Sequence, residues 1–140
     1  MDKSLMQEYE MIEHTADIAI RAFGRDTAEL FSNAARGMSA YIFGPEVLQR
    51  EPEGSESINV ESLDLDSLLV DWLSEILFLS ASKYRAYVAF AVAEISSSVI
   101  TAEGTFCKAD AVNDIKAVTY HGLKIERVSS LWRATVIYDI

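Results

Sequence analysis

The sequence predicts a single α+β domain in which two helices pack on a largely antiparallel sheet. Apolar residues recur at helical spacing in two segments, near residues 30–42 and 69–77, and alternate with polar residues in most others. Along the 140 residues these patterns run strand, helix, strand, helix and then four consecutive strands, an order typical of α+β proteins. Since 50% of the residues are hydrophobic, the chain can bury the core of one such domain.

The first strand is predicted to begin at Asp17, with Tyr9 to Ile12 leading into it. Over residues 17–24 apolar side chains occupy every second position, which indicates a strand whose two faces meet different environments. Residues 1–8 show little periodicity and are expected to form a flexible N-terminus. The domain is therefore expected to span residues 9–140.

The first helix is predicted to open at Asp26, because Glu29 follows three residues later as in a capping box. Gly44 and Pro45 should end it through a left-handed cap and a missing backbone donor. The polar segment 46–56 is predicted to be a loop, and the alternating segment 57–61 a short strand.

The second helix is predicted to start at Asp66 or Ser67, either of which can cap it, and to run toward Lys83. Its apolar face is broad. Asp71 and Glu75 lie four residues apart on the other side, and we interpret them as a solvated acidic face rather than as paired catalytic carboxylates.

Four strands are expected to follow from Tyr84 onward. Large residues alternate with alanines over residues 88–93, and we expect a helix to pack on the alanine face. Serines at 96–98 and 129–130 should form turns, with strands at 99–106, 115–128 and 131–140 and a loop at 109–114. In the closing strand, alternate residues should share one face; these are Trp132, Ala134, Val136, Tyr138 and Ile140.

Composition excludes several classes of function. The net charge of −10 disfavours tight direct binding of nucleic acid and suits docking on a basic partner or holding a hard cation. The single cysteine, Cys107, cannot form an internal disulfide and is expected to be a buried or half-buried thiol in a reducing compartment. Neither a signal sequence nor a membrane-spanning apolar run is evident, so we expect a soluble cytoplasmic protein without membrane contact.

No catalytic residue can be assigned from the motifs. The glycines do not form a phosphate-binding loop, and no nucleophile elbow is present. His14 and Asp17, with Thr15 and Ala16 between them, form either a hydrogen-bonded turn or a site at a strand end. His121 precedes a glycine that suggests a bulge; a hydrogen-bonded, partly buried histidine is favoured there over a catalytic base.

Five segments, in this order and in register from about Tyr9 to the last residue, resemble the archease family: His14–Gly24, Leu30–Ala35, Leu68–Glu75, Ile115–His121 and Val136–Ile140. The resemblance implies a small α+β protein that assists the RtcB-type RNA-splicing ligase. That enzyme uses GTP and Mn²⁺ to join RNA ends. The archease would not be an enzyme itself but would promote guanylylation and multiple turnover of the ligase, its expected partner in tRNA splicing.

The resemblance also implies a divalent-cation site formed by Asp17, Asp139 and the C-terminal residue Ile140. Three negative charges at one place would repel one another, and a hard dication would remove that conflict. Oxygen ligands favour Ca²⁺, expected for the isolated protein, with Mg²⁺ and Mn²⁺ as alternatives. His14 and His121 are then expected to be supporting residues, with His14 orienting Asp17.

Two other classes of function remain open. The same site could serve a metal-dependent phosphoester hydrolase with His14 or His121 as base. The protein could instead be a chaperone-like modulator of a tRNA-modifying enzyme such as a methyltransferase, with its acidic surface as the docking patch.

The chain departs from many relatives in the loop 107–114, which lacks an expected Gly-Glu start and a histidine, and at Ala19, where glycine is common.

Overall fold

The computed structural model describes residues 6–140. Within that range two α-helices and seven strands follow one another: β1 Tyr9–Glu13, β2 Asp17–Gly24, α1 Thr27–Phe43, β3 Gly54–Glu61, α2 Leu65–Lys83, β4 Arg85–Ile95, β5 Val99–Lys108, β6 Ala117–Val128 and β7 Leu131–Asp139. All the strand pairs in it are antiparallel, which confirms the predicted fold class. The strands form two sheets rather than one, in the orders β1-β2-β7-β6 and β3-β5-β4.

The core lies between the two helices and the inner faces of both sheets. α1 contacts β2 and β4, and α2 contacts β3, β4 and β6. Trp72 of α2 is fully buried, donates its indole N–H to the Phe31 carbonyl of α1 at 3.0 Å, and meets the ring of Phe90 edge-on at 5.3 Å. One side chain thus joins both helices to the three-stranded sheet.

The helix starts agree with the sequence at α1 and differ at α2. Asp26 caps α1 by accepting from the Glu29 N–H at 2.8 Å, and the Glu29 carboxylate accepts in turn from the Arg25 N–H at 2.8 Å. Asp64, not Asp66 or Ser67, caps α2, accepting from the Ser67 N–H at 2.8 Å. The predicted start of α2 was therefore late by two residues or more.

Other boundaries shift by a few residues. A short 3-10 helix, Pro45–Gln49, occupies part of the predicted loop after α1. β3 begins at Gly54 instead of residue 57, and β6 begins at Ala117 instead of residue 115. Cys107 is buried, as expected, and burial raises the pKa of its thiol.

The prediction for the two faces of β4 was wrong. Ala89 and Ala91 are exposed, whereas Phe90 and Val92 turn inward and pack against the core. Both faces of this strand are apolar, and the larger side chains gain more from burial. The helices accordingly pack on the large-residue face.

The acidic side of α2 is split between two environments. Asp71 is half-buried and accepts from the Ser62 hydroxyl at 2.7 Å, while Glu75 is exposed. The Asp71 contact ties the helix to the segment before it, which agrees with a structural rather than a catalytic role.

Residues 1–5 of the predicted flexible N-terminus lie outside the described part of the chain. Glu8, which precedes β1, accepts from the Phe23 N–H at 2.9 Å through its carbonyl and pairs with Arg36 at 2.9 Å through its carboxylate. Neither helix of residues 6–140 combines the length and the apolar character needed to cross a bilayer.

Candidate metal centre

The strand register brings Asp17 and Asp139 together at one end of the four-stranded sheet. Asp17 is the direct partner of Asp139 across β2 and β7, and Asp139 is in turn the partner of Ala117 on β6. Directly opposed residues of an antiparallel sheet project from the same face. Because Ile18 and Tyr138 next to them are buried, this is the outer face, where Asp17 is half-buried and Asp139 is exposed.

His14, which directly follows β1, lies next to this pair. Its N–H donates to the Asp17 carbonyl at 3.0 Å, which closes a tight turn over Thr15 and Ala16 between β1 and β2. The main-chain groups of Asp17 therefore point toward β1, so Asp17 and Asp139 form a non-hydrogen-bonded pair, the type with the closer side chains. His14, Asp17 and Asp139 occupy consecutive positions across one face; we call these three residues the carboxylate row.

Ile140 follows the row directly. Its N–H lies 3.5 Å from the Ala16 carbonyl, which continues the pairing of β7 with β2 by one residue, and its side chain packs against the core. Trp132, Ala134, Val136, Tyr138 and Ile140 therefore share one face, as predicted, and it is the inner face. The α-carboxylate of Ile140 thus starts from a backbone position fixed beside Asp139.

His121 lies elsewhere on β6. The register between β6 and β7 shifts between Thr119 and Lys124, and Gly122 within this bulge has a φ of +66°. A Cβ at Gly122 would come within 2.7 Å of the Ile137 side chain, which explains the glycine. His121 is exposed, not partly buried as expected, and stands four positions along the strand from the partner of Asp139.

Charge and donor chemistry of the row fit a hard cation. Among residues 6–140 no group of three or more His, Cys, Asp or Glu side chains is placed to hold a metal. The candidate set instead combines two side-chain carboxylates with the α-carboxylate of Ile140, all oxygen donors. None of the seven ion pairs in the described range includes Asp17 or Asp139, so no cationic side chain of residues 6–140 pairs with them.

Lys116 joins the row to the segment before β6 and was not singled out from the sequence. Its N–H donates to the Asp139 carbonyl at 2.7 Å. Because the main chain makes this contact, no pattern of side chains in the sequence could have predicted it. It holds the backbone of Asp139 from the side opposite to Asp17.

Fold and site together define a class: a small α+β protein of two helices and two antiparallel sheets that presents paired carboxylates at a sheet end. The model of the archease protein family (MTH1598/TM1083) matches residues 9–140. The chain is 36% identical to the protein archease of Methanosarcina mazei, covering 96% of this chain and 97% of that one. It is 32% identical to the protein archease of Sulfurisphaera tokodaii, covering 96% and 100%. The chain belongs to the archease family.

Solved structures agree with this assignment. The solution structure of Methanobacterium thermoautotrophicum protein 1598 superposes with a TM-score of 0.76 at 28% identity, covering 96% of this chain and all of that one. The crystal structure of a Thermotoga maritima archease, described as a possible chaperone, gives a TM-score of 0.63 at 24% identity, covering 96% and 99%. The second likeness concerns the fold alone.

Proposed function

We propose that this archease activates an RtcB-type RNA-splicing ligase by promoting its GTP-dependent guanylylation and multiple turnover. The observation that carries the proposal is the carboxylate row, in which Asp17 and Asp139 lie side by side with no ion-pair partner among the described residues. Such a pair is poorly suited to stabilising the fold, because like charges directly opposed on a sheet repel. The presence of the pair is better explained by a role in function than by one in stability.

In this proposal Asp17, Asp139 and the α-carboxylate of Ile140 hold one divalent cation. Ca²⁺ is favoured in the isolated protein, and Mg²⁺ or Mn²⁺ are alternatives. A bound dication would supply a positive, Lewis-acidic centre at the sheet end. His14, whose main-chain N–H binds the Asp17 carbonyl, would orient the Asp17 carboxylate with its side chain, and the Ile140 side chain, packed against the core, would anchor its own carboxylate. His121 is retained only as a more distant supporting residue.

The protein is proposed to act through its partner, with no turnover of its own. The carboxylate row lies on the outer face at a sheet end rather than in an enclosed cleft, whereas catalytic carboxylates act in a pocket that binds and orients the substrate. A partner must therefore complete the environment in which the row acts.

The test combines the protein with ligase, GTP, Mn²⁺ and cleaved RNA carrying a 3′-phosphate and a 5′-hydroxyl. A catalytic amount of wild type should raise the number of ligation turnovers, and Asp17→Ala should abolish this effect while its circular dichroism and melting curve stay native. Glu94→Ala, which removes an exposed carboxylate from the other sheet, is the matched control and should stimulate normally.

Three outcomes would contradict the proposal. Phosphoester hydrolysis by the protein alone would favour the hydrolase. An effect on a tRNA methyltransferase without one on the ligase would favour the modulator. Loss of folding in Asp17→Ala, in proportion to lost activity, would reduce Asp17 to a turn residue.

A further inference from the structure

A groove runs between the last turns of α2 and the segment 109–116 that leads into β6. It has a volume of about 630 Å³. Its apolar floor includes Ile42 and Phe43 from the end of α1, Leu77 from α2 and Ile115 from the segment. This size and lining suit apolar side chains of a bound molecule.

The outer wall of the groove is held in place by α1. The N–H groups of Val112 and Asn113 both donate to the Ile42 carbonyl, at 2.7 and 3.1 Å, and the Asn113 side-chain amide donates to the Tyr41 carbonyl at 2.9 Å. These bonds satisfy carbonyls that the end of a helix leaves free. The groove is therefore a built feature with a fixed wall, and docking there needs little reordering.

Large apolar side chains remain exposed around the groove. Phe78 and Tyr84, which line it, are 64% and 73% exposed, and Val112, between two lining residues, is 67% exposed. The Ser80 hydroxyl at its wall is buried and has no hydrogen-bond partner within residues 6–140. The exposed apolar side chains around the groove are therefore available to a bound segment.

A second pocket, of about 530 Å³, adjoins the groove and shares Tyr84, Ala109 and Asp110 with it. Its remaining lining residues are all cationic: Arg50, Lys83 and Lys108. We call these three residues the basic pocket. Lys83 pairs with Glu56 at 3.1 Å, whereas Arg50 and Lys108 belong to none of the ion pairs found in the described range.

The position of the unpaired cations is informative in a chain of net charge −10. In residues 6–140 four Lys or Arg side chains belong to no ion pair, and they are Arg50, Lys108, Lys116 and Arg127. The first three border the groove or the basic pocket, where they outnumber the two lining carboxylates, Asp110 and Asp114. An acidic protein thus gathers its free positive charge around one apolar groove.

The geometry points to a docking site, formed by the groove and the basic pocket, for a protein segment that carries apolar side chains beside carboxylates. The apolar side chains would occupy the groove, and the carboxylates would meet Arg50 and Lys108. The inference rests on the proposed function, since the segment belongs to the ligase. Lys116 lines the groove and its N–H binds the Asp139 carbonyl, so a partner docked here lies beside the carboxylate row.

A protein segment fits the site better than RNA does. The overall negative charge repels a polyphosphate chain, and Asp110 stands between the basic pocket and the groove. Leu77 and Ile115 match aliphatic side chains, and the rings of Phe78 and Tyr84 can pack on apolar side chains as well as on bases, so the charge decides in favour of protein.

The experiment measures the affinity of the full-length protein for the ligase by titration calorimetry. Phe78→Ser and the double variant Arg50→Glu/Lys108→Glu should each weaken binding by about tenfold or more. Both act at exposed side chains, so the fold should survive, which melting curves check. The matched controls are Leu63→Ser, exposed roughly 20 Å away along the helix axis, and Arg127→Glu, the fourth cation of residues 6–140 outside the ion pairs; both should bind within about twofold of wild type.

Separate readouts distinguish the inference from the function it rests on. Asp17→Ala should bind the ligase normally and fail only to stimulate it. If wild type stimulates the ligase but the groove variants bind the ligase as tightly as wild type does, the docking site is overturned and the proposed function stands. Absence of stimulation by wild type would overturn both. If Arg50→Glu/Lys108→Glu loses affinity for labelled RNA but keeps its affinity for the ligase, the basic pocket binds RNA and the inference is also overturned.

Discussion

Replacing Asp17 with asparagine should stabilise the metal-free protein. Asp17 and Asp139 oppose each other directly across β2 and β7, and neither belongs to an ion pair within residues 6–140. For side chains about 5 Å apart at the dielectric constant of water, Coulomb's law gives a repulsion of about 0.8 kcal/mol. The amide keeps the shape of the side chain and removes the charge. The free energy of unfolding should therefore rise by about 0.5–1 kcal/mol.

The assay is urea denaturation in EDTA at low ionic strength, repeated in about 1 M salt, where the screening length is about 3 Å and the gain should largely disappear. A second series adds Ca²⁺ or Mn²⁺. At a concentration of about 100 times Kd, a cation that binds only the folded state stabilises wild type by about 2.7 kcal/mol. Asp17→Asn should lose most of that stabilisation, because one of three anionic ligands is gone.

Glu94→Gln is the control for overall charge. Glu94 is an exposed carboxylate of β4 opposite Thr101, so its loss changes the net charge equally without touching the carboxylate row. It should leave both the metal-free stability and the response to cation unchanged. The reasoning is refuted if Asp17→Asn is less stable than wild type in EDTA, or if it retains the full response to cation.

Three further predictions test other parts of the structure. Residues added after Ile140 should lower cation affinity and ligase stimulation together, whereas the same tag before Met1 should not, because only the first converts an anionic ligand into a neutral carbonyl. Burial, with the bond to Glu56, raises the pKa of Tyr87 to about 12, so the folded protein favours the neutral phenol. As pH rises from 9 to 12, the free energy of unfolding of wild type should therefore fall by about 2 kcal/mol more than that of Tyr87→Phe, as measured by chemical denaturation. Asp64→Ala should lower the melting temperature more than Asp66→Ala, because Asp64 caps α2.

The start of α2 shows where local patterns stop being decisive. The run Asp64, Leu65, Asp66, Ser67 offers three residues with similar capping preference, and nothing local chooses among them. In the structure Leu65 packs against the core, which requires the helix to begin before it. Tertiary burial of one leucine therefore selects Asp64.

The faces of β4 were ambiguous for a related reason. Period-two alternation predicts a strand but assigns the inner face only when one face is polar, and residues 88–93 are apolar throughout. The deciding contact, the Phe90 ring against Trp72, joins residues from separate elements. By contrast, β2 carries the charged residues Asp17 and Arg21 on one face, and the apolar residues that alternate with them, Ile18, Ile20 and Ala22, are buried.

The pairing of Asp17 with Asp139 is a consequence of core packing at the other face of the same strands. Ile18 faces Tyr138, Ile20 faces Val136 and Ala22 faces Ala134, all buried.

A slip of one residue between β2 and β7 would move one strand's apolar set to the outer face. A slip of two residues would keep each apolar set on the inner face but would leave the last buried side chain of one strand without a partner on the other strand. The core thus admits one register, and that register places the two carboxylates opposite each other although they lie near opposite ends of the chain. No local pattern could pair Asp17 with Asp139, so only the family resemblance predicted this set of residues. The fold tolerates the repulsion between the two carboxylates because burial of the neighbouring apolar pairs stabilises it by more.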